Sequence, residues 1–234
     1  MTRPATTPLK IAVCGAAGRT GSRAAALAST DPRFHLVARV DRARAAEFED
    51  EVGAVAVAVD FSAPDATVRY AAACARTGVA FVSGTTGLSD VQRAQLAAAA
   101  KKIPVFAAPN FSRGVTLMAW LAAEAARRLP GYDAAIVEIH HKGKKDAPSG
   151  TALSLAQAVR DGRGTDEPVP AASVRLGDVV GDHVLTFAGP FERLALSHQA
   201  ESRDVFARGA LDAALWLAKK RPGLYDMSDL LGLR

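Results

Sequence analysis

Glu138 to Ala152 reads EIHHKGKKDAPSGTA and gathers two adjacent histidines, three lysines and a Ser-Gly-Thr step into one short stretch. The whole chain has only five histidines, so this pairing concentrates much of its near-neutral proton chemistry in one place. A histidine titrates close to neutral pH, and with a lysine beside it the two can share the proton transfers of an acid-base site. Backbone N–H groups of Ser149-Gly150-Thr151, at an expected helix start with Pro148 shaping the turn, form a cradle for a carboxylate. These residues suit an anionic substrate that requires a proton. A metal shared by His140 and His141 is disfavoured, because neighbouring strand residues point to opposite faces, and no metal is expected. Lys142 and Lys145 read as solvated. His198 alternates with Leu194 and Leu196, as a core-facing or interface histidine would. His35 and His183 offer no case for chemistry. Arg203 reaches a cofactor only if the last helix returns to the first domain, and it is not counted among the site residues.

A second constellation lies near the N-terminus. A short apolar run ends at Cys14, then comes Gly15-Ala16-Ala17-Gly18-Arg19-Thr20-Gly21, then an alanine-rich helical stretch. Strand, G-x-x-G-x-x-G turn and helix are the parts of a dinucleotide site: glycines for the turn and the close approaches, and a helix N-terminus for the pyrophosphate. Asp41 follows the next strand, where a carboxylate bonds ribose hydroxyls, and Arg42 beside it can hold a 2′-phosphate. Both NADH and NADPH therefore stand as expected cofactors. Gly84-Thr85-Thr86-Gly87 and Asn110-Phe111-Ser112 each follow a strand. Either is a plain turn on its own, but their common placement favours the cofactor edge of an open sheet.

The elements that must position these residues follow from periodicity. Strand runs at Lys10–Cys14, Leu36–Val40, Val55–Phe61, Ala80–Val82 and Val105–Ala107 alternate with helical runs at Arg19–Ser29, Pro64–Arg76 and Ser89–Lys102. That pattern predicts an α/β domain with a Rossmann-type parallel sheet covered on both faces. A helix at Val115–Arg128 and a strand at Ala134–His140 follow, then a helix from Ser149 or Gly150 and a loop over Asp161–Pro170. Strands at Val174–Leu176, His183–Phe187 and Arg193–Ala200 predict a second, α+β domain with a mixed or antiparallel sheet. A last helix, Val205–Lys219, precedes a short tail. The expected domains are 1–110 for dinucleotide binding, with 205–234 returning to it, and 111–204 for substrate binding and oligomerisation.

Composition narrows the class. Hydrophobic residues make up 49% and charged residues 23% of 234, which is ordinary for a globular protein. The first nine residues read as a loose tail without the apolar core of a signal peptide, and no run is long and apolar enough for a membrane span. Cys14 and Cys74 read as buried free thiols of a cytoplasmic protein. The net charge of +5 is spread along the chain and aromatics are only 6%, so a nucleic-acid partner is not expected. The charge favours a small anionic substrate instead.

The chain resembles the 4-hydroxy-tetrahydrodipicolinate reductase (dihydrodipicolinate reductase) family. The resemblance rests on GAAGRTG at Gly15–Gly21, VDFS at Val59–Ser62, SGTTG at Ser83–Gly87, APNFS at Ala108–Ser112 and the opening stretch. GDVVGDH at Gly177–His183 and GLYDMSDLLGL at Gly223–Leu233 extend it over most of the chain. It implies reduction of a cyclic dicarboxylate imine by NADH or NADPH in the diaminopimelate route to lysine, by a cytoplasmic homotetramer. By the same resemblance His140 and Lys144 are catalytic, and His141, Gly150 and Thr151 bind substrate. The implied cofactor positions are Gly15, Ala16, Ala17, Gly18, Arg19, Thr20, Asp41, Arg42, Gly84, Thr85, Thr86, Ala108, Pro109, Asn110 and Phe111. Two segments depart from the family pattern: the link from Asp41 to Val59 and the loop from Ala158 to Val174 are both short. Three rivals are a nucleotide-sensing regulator on the same fold, a nucleic-acid binder, and a related enzyme resembling aspartate dehydrogenase.

Overall fold

The computed structural model describes residues 7–233 and divides into two compact units. The expected N-terminal tail lies outside the described residues over 1–6. The first unit runs to Phe111 and includes Asp204–Gly232; the second is Ser112–Arg203.

The first unit is built on six strands: β1 (Leu9–Cys14), β2 (Phe34–Val40), β3 (Val57–Asp60), β4 (Ala80–Ser83), β5 (Pro104–Ala107) and β10 (Gly223–Tyr225). They pair in parallel in the order β10-β5-β4-β3-β1-β2. Side-chain alternation feeds two cores. Ile11, Val13, Val57, Val59, Val82 and Phe106 pack against α1 (Arg19–Thr30) and α7 (Asp204–Leu217). On the other face Ala12, Cys14, Ala58, Phe81 and Val105 meet α3 (Pro64–Thr77) and α4 (Asp90–Ala100). Because β1 leads to α1 on one face and β3 to α3 on the other, the strand order reverses between β1 and β3. That reversal opens a crevice beyond the strand ends, where ligands of such sheets bind. Both cysteines are buried, and burial pushes the Cys74 thiol up to about 12.

Three local readings need correction. The short link after Asp41 contains a helix, α2 (Ala45–Glu51), which a period search misses because Phe48 is its one buried residue. The expected loop over Asp161–Pro170 starts later, since α6 (Gly150–Arg163) continues to a left-handed cap at Gly164. The breaker there is Gly164, and Gly162 is helical. The expected C-terminal tail is structured: β10 extends the parallel sheet, and α8 (Met227–Leu231) begins with a reciprocal cap between Asp226 and Asp229. Elements this short fall below any periodicity window.

The second unit has the sheet order β7-β6-β8-β9, with β6 (Asp133–His140), β7 (Ala171–Arg175), β8 (Gly181–Ala188) and β9 (Arg193–Ala200). β6 and β7 are parallel, while β6–β8 and β8–β9 are antiparallel. One face packs Ile136, Leu185 and Phe187 against Met118, Ala122 and Ala126 of α5 (Arg113–Arg128) and Ala152, Leu155 and Val159 of α6.

Candidate active site

The glycine turn of the first unit is shaped by steric need. Gly15 has φ +74°, and a Cβ there would lie 2.4 Å from the Phe61 carbonyl oxygen. A Cβ on Gly21 would lie 2.1 Å from the Gly15 carbonyl, so α1 approaches the turn more closely than any side chain permits. Gly18 caps α1 without a side chain, and no acidic residue occupies its first turn, which leaves the positive helix end available to phosphate. Arg19 is exposed at that end, with Ala16, Ala17 and Thr20 around the turn. Asp41 follows β2, its Oδ1 accepting the N–H groups of Ala43 at 3.0 Å and Arg44 at 3.2 Å. Arg42 is exposed beside it. These residues fit a dinucleotide.

The loop after β4 hangs from a residue that sequence reasoning passed over. Asp60, fully buried at the end of β3, accepts hydrogen bonds from Ser62 Oγ at 2.5 Å, Thr67 Oγ1 at 2.6 Å and Thr85 Oγ1 at 2.9 Å. Burial raises its carboxyl, and the hydroxyl donors oppose the rise. Thr85 is thereby fixed, with Gly84 against the Phe61 ring and Thr86 exposed. Ala108 is tied to β4 through the Ser83 carbonyl at 3.1 Å, and Pro109 is exposed beyond it. Asn110 is half-buried. The Phe111 ring is buried against Phe61 and Phe106, so its side chain belongs to the core and only its backbone faces the loop chemistry.

In the second unit, strand alternation sends Val137 and Ile139 to one face and Glu138 and His140 to the other, where both are buried. His140 Nδ1 bonds Glu138 Oε2. An ionised carboxylate only accepts, so Nδ1 carries the hydrogen and Nε2 is the nitrogen left to gain or lose a proton. Glu138 Oε1 accepts from Arg175 Nη2 at 3.0 Å and from the Ser149 N–H at 3.3 Å. Ser149 caps α6 by accepting the Ala152 N–H, and its Oγ lies 3.2 Å from His183 Nε2. A Cβ at Gly150 would meet nothing within 4 Å, so the helix start is open, with Thr151 next in line. A cis peptide joins Ala147 and Pro148 just before it. Lys144 Nζ pairs with Asp146 at 2.9 Å. His141 is half-buried, 3.0 Å from Arg203 Nη2; arginine has no acceptor, so His141 Nε2 accepts.

The charges are set by burial and neighbours. Burial lowers His140, and Glu138 opposes that fall. Burial alone would raise Glu138, but hydrogen bonding from Ser173, Arg175 and His140, with the charge of His140, outweighs it and holds the carboxyl below its usual range. His183, only 3% exposed, is pushed down to about 4 by burial and then by the charge of His140. This corrects the reading of His183 as irrelevant to the site: β8 places it directly opposite Glu138. Glu138, Arg175 and Asp60 were also missed. The signal for Glu138 was present, since an acid sat at a core-facing position of a strand; Arg175 needed the strand register. Glu138, His140 and His183 offer ligand atoms within 4.8 Å of one another, yet Arg175 already places a positive charge on that carboxylate, which opposes a cation.

A parallel-sheet dinucleotide fold, joined in one chain to a buried histidine–carboxylate pair near a lysine, defines an NAD(P)H-dependent oxidoreductase. Family models described as "Dihydrodipicolinate reductase, N-terminus" and "Dihydrodipicolinate reductase, C-terminus" match residues 9–111 and 114–231. The chain belongs to the dihydrodipicolinate reductase family. The 4-hydroxy-tetrahydrodipicolinate reductase of Stenotrophomonas maltophilia is 47% identical over 238 residues, covering 96% of this chain and 98% of the relative. That of Thiobacillus denitrificans is 42% identical over 265 residues, covering 97% and 99%. Both alignments take in nearly all of both chains; the first relative is about as short as this chain, and the second is longer. The dipicolinate-bound dihydrodipicolinate reductase of Paenisporosarcina sp. TG-14 shares the fold, with TM-score 0.83 at 24% identity over 96% of this chain and 99% of that one.

Proposed function

We infer that the chain reduces 4-hydroxy-tetrahydrodipicolinate with NADH or NADPH, giving tetrahydrodipicolinate, the oxidised cofactor and water, on the diaminopimelate route to lysine. The observation that carries the reading is the buried His140–Glu138 pair beside the open start of α6. Gly15 to Thr20 would hold the pyrophosphate, Asp41 the ribose and Arg42 a 2′-phosphate, with Gly84–Thr86 and Ala108–Phe111 completing the pocket. The bound dinucleotide supplies a hydride. His140 Nε2 and Lys144 manage the proton that the imine nitrogen requires. Gly150 and Thr151 receive one substrate carboxylate at the positive end of α6, and His141 contributes to the other. No helix among the described residues is long and apolar enough to cross a membrane. The buried free thiols fit a cytoplasmic enzyme. The uncovered face of the second sheet supports a homotetramer.

The test is direct: purified protein, the condensation product of pyruvate and aspartate semialdehyde, and NADPH absorbance. A steady fall is expected. His140→Gln and Lys144→Gln should each lower kcat ~10²–10⁴-fold, with little change in NADPH affinity. Folded, NADPH-binding protein that leaves the absorbance flat overturns the reading.

A further inference from the structure

Glu138 touches His140 and the cap of α6 directly and reaches the lysine loop through Arg175. It lies on β6 two residues before His140 and is 0% exposed, although nothing apolar about a glutamate favours that position. Burying a carboxylate is costly unless its oxygens are satisfied. Here Oε2 holds His140 Nδ1, while Oε1 takes Arg175 at 3.0 Å and the Ser149 N–H at 3.3 Å. Arg175 then reaches the other side of the site. Its Nη2 donates to the Asp146 carbonyl at 2.6 Å and its Nε to the Lys144 carbonyl at 3.3 Å. One ion pair thus connects the histidine, the lysine-bearing loop and the start of α6.

We propose that Glu138 is a positioning residue for the reduction: it fixes His140 as the Nδ1–H tautomer, aims Nε2 at the reacting atoms, and through Arg175 holds the Lys144 loop in register with it. The proposal rests on His140 being a proton donor, as inferred above. Its geometry is independent support. A Cβ at residue 181 would lie 2.9 Å from His140 Nε2, so Gly181 keeps that nitrogen uncovered on the side away from Glu138. The charges argue the same way. His140 is faced by Glu138 on its own strand, Arg175 from β7, His183 from β8 and Lys144 from the loop. Glu138 is the only anion among them. Asp146 is already spent on Lys144, so without the Glu138 charge an imidazolium forming at His140 would meet the Arg175 cation and a neutral ring with no anion of its own.

Glu138→Gln tests this. Kcat should fall ~10- to 100-fold, the span of a charge-assisted hydrogen bond, with NADPH affinity unchanged. The alkaline limb of the kcat/KM profile should move to lower pH, because loss of the anion disfavours the imidazolium. A purely structural role predicts lower activity with that limb in place, and this result, or wild-type kcat, would overturn the proposal. Imidazole 15N shifts of the wild-type protein give a readout that does not depend on the variant folding. Neutral His140 should be the Nδ1–H tautomer, and an Nε2–H tautomer sinks the assignment. His140→Gln separates the two readings. If it keeps full activity, the proton-donor role fails, whatever the tautomer shows.

Discussion

Asp41 spends one carboxylate oxygen on its own loop, where Oδ1 accepts two backbone N–H groups and turns the chain toward α2. The same side chain is the expected ribose ligand, so substitution by alanine would disturb both the turn and the ligand contact. Asp41→Asn keeps an acceptor for the turn and removes only the charge. It should weaken NADH ~10-fold and NADPH less, because Arg42 continues to attract a 2′-phosphate. Arg42→Ala should reverse that order. Equal losses of the two cofactors in either variant, measured by fluorescence titration, would show that this pair does not read the ribose. Asp41 and Arg42 could be singled out from sequence because the proposed ribose position depends on distance along the chain from a glycine turn. Asp60 and Arg175 could not, because their tasks depend on which strand lies beside which. Only the register puts Arg175 opposite His140, and only the sheet order brings Thr85 to Asp60.

Strand register makes a rung across the second sheet in which Glu138 opposes His183 and His183 opposes His198. Each histidine reaches a helix start. His183 Nε2 meets Ser149, the cap of α6, and His198 Nε2 meets Ser112, the cap of α5, both at 3.2 Å. Each serine accepts a helix N–H, and its hydroxyl also lies within hydrogen-bond reach of the imidazole, so each histidine ring is tied to a helix cap. The alternation of β9 showed His198 facing inward, but nothing in the sequence paired two histidines with two caps. The pairing has a stability consequence. The folded-state value of His183 is about 4 against an ordinary 6.5, so its contribution is complete above the higher value and is lost as pH falls through the lower. That difference is worth about 3 kcal/mol, with His140 and His198 shifted in the same direction. Urea midpoints should therefore drop steeply between about pH 6.5 and pH 4. His183→Gln should lower the midpoint at neutral pH and flatten the acid slope. An unchanged slope would mean that His183 does not titrate on unfolding.

The two sheets make opposite demands on the molecule. The first is covered on both faces by helices of its own unit, and its strand runs were legible as continuous apolar segments because neither face meets water. The second has α5 and α6 on one face only. Its other face carries Ala135, Val137 and Ile139 of β6, Val174 of β7, Val184 of β8 and Ala195 of β9. Val137 is 46% and Val174 42% exposed, and with Ile139 and Val184 they form an apolar patch bordered by Asp182, Thr186 and Ser197, the kind of polar-rimmed patch that marks an interaction face. The inferred homotetramer covers it with copies of the same sheet, so residue 137 would be removed from water in every protomer. Burying an unpaired ammonium costs several kcal/mol, and symmetry repeats that cost at each copy of the contact. Val137→Lys should therefore break the assembly while leaving each protomer folded, because the side chain points away from its own core. Light scattering at micromolar concentration should give a tetramer for the unaltered chain and a smaller species for the variant, with matching far-ultraviolet circular dichroism. A tetramer that survives Val137→Lys and Val174→Lys together would place the contact elsewhere on the molecule.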